Sequence, residues 1–237
     1  LHGGAFAVRA PLADRRYCAK LSRGTSMPVV LAVYRLAPEH PYPAGLNDCC
    51  RVYESLLELG IPSSRIVLVG HSAGANLALV LLMRTKKSGL LQPAGAVLLS
   101  APTDMTAASA SAITNAENDP MQGPNIWPWV KDIYFGVTSP DNPELSPLFG
   151  TWSGLAPMHF HVSDTEIILD DSLRAVERAK AAGCDVALTV WHDVPHNFPF
   201  VDYLAEAKDC QTEAVTFINR VVGAERDRNH ARTSLAN

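Results

Sequence analysis

A serine stands in a short motif whose residue types and spacing can carry nucleophilic chemistry. Residues 70–74 read GHSAG, which fits the pattern G-x-S-x-G, and they follow the apolar run at 66–69. A helical pattern begins directly after them, so the context is strand, tight turn and helix. Such a turn strains the backbone of the serine and holds its oxygen at the carboxyl edge of a sheet, beside the first N–H groups of the helix. The motif therefore predicts Ser72 as a nucleophile.

A serine nucleophile needs a general base, which in a parallel α/β sheet follows a later strand. Two histidines fit this requirement. His192 directly follows the predicted strand 186–191, where a plain surface residue is also common, whereas His196 lies in a loop stiffened by proline. We favour His196. His159 and His161 lie within a predicted strand, where histidines usually belong to the core or the surface.

The base needs a carboxylate to orient it, and four acidic residues follow the predicted strand 158–163. Asp170 and Asp171 fall in the next predicted helix, which favours a capping or surface role. Asp164 lies closest to the end of the strand. Glu166 stands two residues further and has a longer side chain. Strand geometry alone slightly favours Asp164, and it leaves Glu166 open.

The chain opens with a glycine-rich turn. Residues 2–6 read HGGAF, and two consecutive glycines let a backbone turn and present its N–H groups to a ligand. The signal is weak by itself, because an ordinary glycine turn has the same composition.

Helical and continuous apolar patterns alternate along the chain. The apolar runs predict strands at 29–34, 66–69, 94–100, 158–163 and 186–191. The helical patterns predict helices at 9–23, 43–59, 75–87, 167–182 and 201–222. This alternation is typical of an α/β fold with a mainly parallel sheet. The unbroken apolar character of 29–34 predicts a strand buried on both faces.

Residues 101–157 break the alternation and are long for a plain connection. We predict that they form an insertion, or cap, over the carboxyl edge of the sheet. Their aromatic residues either line a substrate pocket or pack the insertion onto the body of the domain; these are Trp127, Trp129, Tyr134 and Phe135. Residues 223–237 are polar and predict a C-terminal tail.

Composition limits the classes of partner. The 237 residues are 47% hydrophobic and 19% charged, which is enough for one sizeable core. The formal net charge is −4 and no Lys/Arg run exceeds two residues, which argues against nucleic acid or an anionic membrane as a partner. No apolar run approaches the length of a membrane span. The five cysteines are odd in number and lack a C-x-x-C spacing, which argues against disulfides and a zinc site and favours the cytoplasm.

Taken together, the motifs resemble the hormone-sensitive-lipase-like branch of the α/β-hydrolase superfamily, specifically its microbial esterases. The resemblance runs from His2 to about Phe200. In chain order the motifs are HGG at 2–4, YRLAPEHPYPA at 34–44, GHSAG at 70–74, NPELSPLF at 142–149, EIILDDS at 166–172 and PH at 195–196. Their shared order is far more specific than any one of them.

The resemblance implies a catalytic triad in which Ser72 is the nucleophile and His196 the general base. The acid of the family typically opens a D-P-L-x-D-E segment. The matching segment here is 166–171, and the family's spacing from acid to histidine also fits, so the resemblance favours Glu166 over Asp164.

The resemblance also implies an oxyanion hole formed by the N–H groups of Gly4, Ala5 and Ala73. Three residues depart from the family pattern. Ala5 replaces the usual third glycine, Val33 replaces the usual Asp or Asn before the YRLAPEH segment, and His71 replaces the usual acidic residue beside the nucleophile. These departures affect local supporting contacts rather than the triad.

The implied activity is that of a serine carboxylesterase acting on short-chain acyl esters, with no metal or cofactor. The expected partner is a small-molecule ester, without nucleic acid or stable membrane insertion. Alternatives are hydrolysis of another acyl bond, such as an amide, lactone or carbonate, and a ligand-binding member without turnover. The presence of His196 argues against the latter. Members of the family often dimerise through the last strand and helix, so a homodimer is a further expectation.

The resemblance also bears on domain organisation. Residues 1–222 are expected to form one α/β-hydrolase domain. The family supplies further strands and cap helices before the HGG motif, at which this chain opens. We therefore expect the sheet to lack an edge and the chain to be poorly stable.

Overall fold

The protein folds around a parallel sheet. The computed structural model describes the backbone of residues 1–123 and 125–234, and the side chains as far as residue 223. Four strands pair in the order β1-β2-β3-β4, every pair parallel. They are β1 (Val67–His71), β2 (Gly95–Leu99), β3 (Met158–Ser163) and β4 (Val186–Trp191). The predicted α/β class with a parallel sheet is confirmed.

Seven α-helices accompany the strands in the described residues. They are α1 (Pro11–Thr25), α2 (Ala44–Glu58), α3 (Ala73–Lys87), α4 (Ser111–Thr114), α5 (Ile126–Val130), α6 (Leu169–Ala181) and α7 (Ala205–Ser234). The long helices match the predicted ones to within a few residues, except that α7 begins later and runs further. Pro11 opens α1, a position where the missing N–H of proline costs nothing. Within the described part of the chain, no helix has the length and hydropathy to cross a membrane.

The sheet separates two hydrophobic clusters, because successive side chains of a strand leave opposite faces. One cluster joins Leu98 and Phe160 to helices α2, α3 and α6. The other joins Val97 and Leu99 to helices α1 and α7. Strands β2 and β3 are buried along their whole length, as expected for a parallel sheet covered on both faces.

The register aligns the carboxyl ends of the strands. His71 pairs with Leu99, and Leu99 pairs with His161. Ser163 pairs with Trp191. The residues that follow these strands therefore meet at one edge of the sheet, which is where ligands bind in open α/β sheets.

The predicted strand 29–34 is wrong. These residues are not in a strand, and Val30 and Val33 are 58% and 61% exposed. A strand needs a hydrogen-bonding partner, and a cavity of about 380 Å³ lies between this segment and β1, lined by both. Only the terminal residue Leu1 reaches into this space, where its ammonium group donates to the carbonyl of Val69 over 2.7 Å.

Residues 101–157 form irregular backbone and short helices between β2 and β3. Tyr134 and Phe135 are buried, and Tyr134 stacks on Phe6 with ring centroids 3.9 Å apart. These two aromatic side chains pack the segment onto the body. Trp127 also packs against this core, whereas Trp129 is exposed.

The predicted tail at 223–237 begins as helix. Helix α7 continues to Ser234, so the backbone of 223–234 is helical rather than irregular. Residues 235–237 lie outside the described residues, as do the side chains of 224–237.

Candidate active site

Ser72 lies at a sharp turn between β1 and α3. Its backbone has φ 52° and ψ −126°, a conformation in which a residue with a Cβ atom is strained. Glycines on either side allow the turn. A Cβ atom on Gly70 would lie 2.3 Å from the carbonyl oxygen of Gly74, and one on Gly74 would lie 2.4 Å from that of His2. The close approach of strand and helix predicted for this motif is therefore present.

Ser72, His196 and Glu166 form a continuous chain of contacts. The Oγ atom of Ser72 lies 2.9 Å from Nε2 of His196. The Nδ1 atom of the same ring lies 2.6 Å from Oε2 of Glu166. A carboxylate can only accept, so Nδ1 carries the proton and Nε2 is left to accept from the hydroxyl of Ser72. This is the arrangement of a nucleophile, a general base and an orienting acid.

The two rejected candidates pair with each other at the surface. Nδ1 of His192 lies 2.8 Å from Oδ2 of Asp164, and the N–H of Asp193 donates to the other oxygen over 2.9 Å. The side chain of His192 is 86% exposed. Asp164 is therefore occupied outside the site, and the preference that strand geometry gave it is not supported by the contacts.

Glu166 is fully buried and satisfied by hydrogen bonds. Its Oε1 accepts from the hydroxyl of Ser100 over 2.9 Å and from the N–H of Ser163 over 2.8 Å. Both donors stand at the ends of strands, on β2 and β3. Burial of a carboxylate is costly unless it is hydrogen-bonded, so these donors hold Glu166 towards His196. Ser100 was missed by the sequence analysis, and its position directly after a buried strand was the available signal.

Asp170 and Asp171 serve structure rather than the site. Oδ2 of Asp171 accepts from the N–H groups of Thr103 and Asp104, over 2.7 and 2.9 Å. Asp170 accepts from the N–H of Ser111. Burial raises the pKa of Asp171 to about 7, and the nearby charge of Asp104 adds to this, although the two N–H bonds act against it. Both acids tie α6 to the insertion.

The glycine-rich turn lies against the N-terminus of α3. Gly4 has φ 108° and Ala5 has φ 49°, so the turn needs the left-handed region at both residues. Among the described residues, no acceptor is found for the N–H groups of Gly4, Ala5 and Ala73. Three unpaired N–H groups on two neighbouring elements can stabilise an anion.

Comparison with known proteins supports this reading of the fold. Residues 1–200 match the model of the α/β-hydrolase fold family. An esterase of Acinetobacter venetianus is 35% identical over 92% of this chain and 72% of its own length. An acetyl-hydrolase of Streptomyces hygroscopicus is 32% identical over 83% of this chain and 66% of its own length.

A solved structure gives the same result. An esterase of the bacterial hormone-sensitive lipase family superposes with a TM-score of 0.91 and is 35% identical, covering 94% of this chain and 75% of that chain. This chain belongs to the hormone-sensitive-lipase-like branch of the α/β-hydrolase superfamily. The resemblance stated from its motifs is confirmed.

His71, which departs from the family pattern, joins three parts of the site. The N–H of Gly3 donates to its Nε2 over 2.8 Å, and its Nδ1 lies 3.1 Å from Oδ1 of Asn197, the residue after His196. These contacts fit a neutral ring with the proton on Nδ1, and burial lowers the pKa of His71. Oδ1 of Asp14 lies 3.3 Å from Nε2. His71 therefore braces the glycine-rich turn against the loop that carries the base.

The insertion positions the acid loop of this hydrolase. Nδ2 of Asn115 donates to the carbonyls of Asp164 and Glu166, over 2.8 Å each. Oδ2 of Asp119 accepts from the N–H of Ile167 over 3.1 Å. These residues hold the turn on which Glu166 stands. The sequence analysis did not assign them this role, because no local pattern shows which loop they contact.

One side chain of the insertion reaches the base itself. Nε2 of Gln122 lies 3.1 Å from Nε2 of His196, close to the position of Ser72 Oγ. Asp119 fixes the loop by accepting from the N–H of Gln122 over 2.9 Å. Gln122 therefore stands beside the nucleophile and narrows the space around it.

Proposed function

We propose that this protein is a serine carboxylesterase that hydrolyses short-chain acyl esters through an acyl-enzyme. The observation that carries the proposal is the buried contact chain from Ser72 through His196 to Glu166, at 2.9 and 2.6 Å. The esterase and acetyl-hydrolase names of its relatives agree with it. In the acylation step, Ser72 Oγ attacks the ester carbonyl carbon while its proton passes to Nε2 of His196.

The negative charge of the tetrahedral intermediate needs stabilisation. The N–H groups of Gly4, Ala5 and Ala73 are the candidate donors, and each such donor contributes about 3–4 kcal/mol in comparable sites. Glu166 stabilises the imidazolium form of His196 and keeps its ring in the required orientation. The C–O bond then breaks, and Nε2–H of His196 protonates the leaving alcohol.

Hydrolysis of the acyl-enzyme repeats these steps with water. His196 removes a proton from the water as the water oxygen attacks the acyl carbon. The same N–H groups face the second tetrahedral intermediate, and Ser72 leaves as its hydroxyl recovers the proton from His196. The side chains named here provide every proton transfer in this sequence.

The preference for short acyl chains is argued from the closeness of the site. Ser72 and His196 are 6% and 3% exposed, and Gln122 stands next to the base. A long acyl chain needs an extended apolar channel, which such a closed site favours less than a short chain. The acetyl-hydrolase among the relatives agrees with a small acyl group.

The test measures hydrolysis of nitrophenyl acetate, butyrate, octanoate and palmitate by this protein and by its Ser72→Ala variant. We expect the highest kcat/KM for acetate or butyrate. We expect Ser72→Ala to lower kcat by at least ~10³-fold, because the nucleophile is removed. Ser88→Ala, a change at an exposed serine, is the control and should retain full activity.

Two outcomes would contradict the proposal. Equal turnover by Ser72→Ala would remove Ser72 from the mechanism. A folded protein that hydrolyses none of the four esters would point to another acyl bond or to ligand binding without turnover. The contact between His196 and Ser72 makes the non-catalytic alternative the weaker one.

A further inference from the structure

Two histidines of β3 and a glutamate of α7 converge between the sheet and the helix. His159 and His161 are two residues apart on β3, so their side chains leave the same face. Helix α7 covers that face, where Phe217 contacts the ring of His159. Oε2 of Glu213 lies 3.7 Å from Nε2 of His159 and 3.9 Å from Nδ1 of His161. One ligand atom from each of these three residues lies within 4.8 Å of the other two.

We propose that this cluster binds one divalent transition-metal ion of the Zn²⁺ class. Two imidazole nitrogens and one carboxylate oxygen form a ligand set that Zn²⁺ accepts. Ca²⁺ and Mg²⁺ prefer sites made of oxygen atoms, so the two histidines disfavour them. A fourth position is left for water, on the side where Glu213 meets solvent.

The separations are close to those that coordination requires. An ion equidistant from three atoms at these separations would lie about 2.4 Å from each, against about 2.0–2.2 Å for bonds to Zn²⁺. A movement of a few tenths of an ångström closes this difference. The side chain of Glu213 is 41% exposed and flexible, so it can supply the movement without repacking the core.

Neighbouring side chains hold the three ligands in place. The hydroxyl of Thr189 donates to Oε2 of Glu213 over 2.7 Å, and its oxygen lies 3.0 Å from Nε2 of His159. Nε1–H of Trp191 donates to Nδ1 of His161 over 3.3 Å, a long bond that an ion would displace. Such contacts orient metal ligands in known sites.

The hydrogen bonding of the cluster is incomplete without a ligand. His161 is fully buried, and its Nε2 has no partner among the described residues. Buried polar groups normally have partners, so an unpaired ring nitrogen beside a second histidine and a carboxylate is a sign of an incomplete site.

The ion would join β3 to α7 and thereby stabilise the fold. None of its three ligands hydrogen-bonds to Ser72, Glu166 or His196, so the site is separate from the proposed ester chemistry. The sequence analysis argued against a zinc site from the cysteines alone, and it read His159 and His161 as core or surface residues. The site depends on Glu213, which only the tertiary fold brings to them.

The test uses the purified protein after dialysis against a chelator. Zn²⁺ is titrated by calorimetry, and Co²⁺ by its visible absorption spectrum. We expect one ion per chain, a Co²⁺ spectrum without a thiolate charge-transfer band, and a higher Tm with Zn²⁺ present. Glu213→Gln should weaken binding by at least tenfold and remove the rise in Tm.

Glu177→Gln is the matched control, because it makes the same change at an exposed position of α6 and should bind as the parent does. His159→Gln is a second variant that tests the site should Glu213→Gln fail to fold, and it too should bind at least tenfold more weakly. Binding by Glu213→Gln and His159→Gln at the parent affinity would overturn the proposal. A thiolate band, or no binding at all, would also overturn it.

Discussion

Glu166 and Asp164 stand two residues apart in one loop, yet their carboxylates meet different histidines. Glu166 is buried and contacts Nδ1 of His196, whereas Asp164 contacts the exposed His192. The longer side chain is directed inward by donors from Ser100 and Ser163. The environment of each carboxylate therefore decides which of them can act on the base.

This difference predicts the outcome of two matched substitutions. Glu166→Gln should lower kcat on nitrophenyl butyrate by about 10³–10⁴-fold, because the amide no longer stabilises the imidazolium form of His196. Asp164→Asn should leave kcat within about twofold, because it changes only a surface pair, and surface pairs are worth little. Steady-state kinetics of both variants give the answer. An Asp164→Asn variant as impaired as Glu166→Gln would contradict the assignment.

At the scale of elements, the segment 29–34 shows why an apolar run is not by itself a strand. Its composition is that of a buried strand, but the place beside β1 is a cavity, and Val33 faces outward. Val97, in contrast, lies on β2 with paired neighbours on both sides and is fully buried. The two valines differ only in what surrounds them.

Val33→Ala and Val97→Ala form a matched pair that measures this difference. Val97→Ala should lower the free energy of unfolding by about 2–3 kcal/mol, because it leaves a cavity in the core. Val33→Ala should change it by less than about 0.5 kcal/mol, because the side chain is mostly exposed. Denaturant unfolding of both variants tests this. A cost at Val33 equal to that at Val97 would show that 29–34 is a buried strand after all.

At the scale of the whole molecule, Asp171 makes stability depend on pH. Its carboxyl group links α6 to Thr103 and Asp104 on the insertion, and burial raises its pKa to about 7. In the unfolded chain the pKa is about 3.9. Between these values the folded state holds a proton that the unfolded state has released, so this contribution to stability is full below about pH 4 and is lost as the pH rises towards 7.

Asp171→Asn keeps an acceptor for the two N–H groups and removes the titration. We therefore expect the free energy of unfolding of the parent to fall relative to that of Asp171→Asn from pH 5 to pH 7, by up to about 1.4 kcal/mol per pH unit. The difference should level off above pH 7. Denaturant unfolding at pH 5, 6, 7 and 8 measures it, with Asp141→Asn as an exposed control. Parallel curves for the parent and Asp171→Asn would contradict this account.

The sequence by itself determined the features that depend on local pattern. The alternation of apolar and helical segments gave the α/β class and four of the strands, because buried parallel strands must be apolar throughout. The GHSAG stretch indicated the turn at Ser72, because only small residues permit so close an approach of strand and helix. The ordered motifs indicated the family, and through it Glu166 and His196.

Only the tertiary structure decided contacts between residues distant in sequence. It paired Asp164 with His192, placed Gln122 and Asn115 at the site, and left 29–34 without a partner strand. It also brought Glu213 to the two histidines of β3. These contacts depend on the register of the sheet and on how the insertion packs over its edge, and neither is encoded within a short stretch of chain. The hydrogen bonds and ion pairs that define this protein's sites therefore appear only once the whole chain is folded.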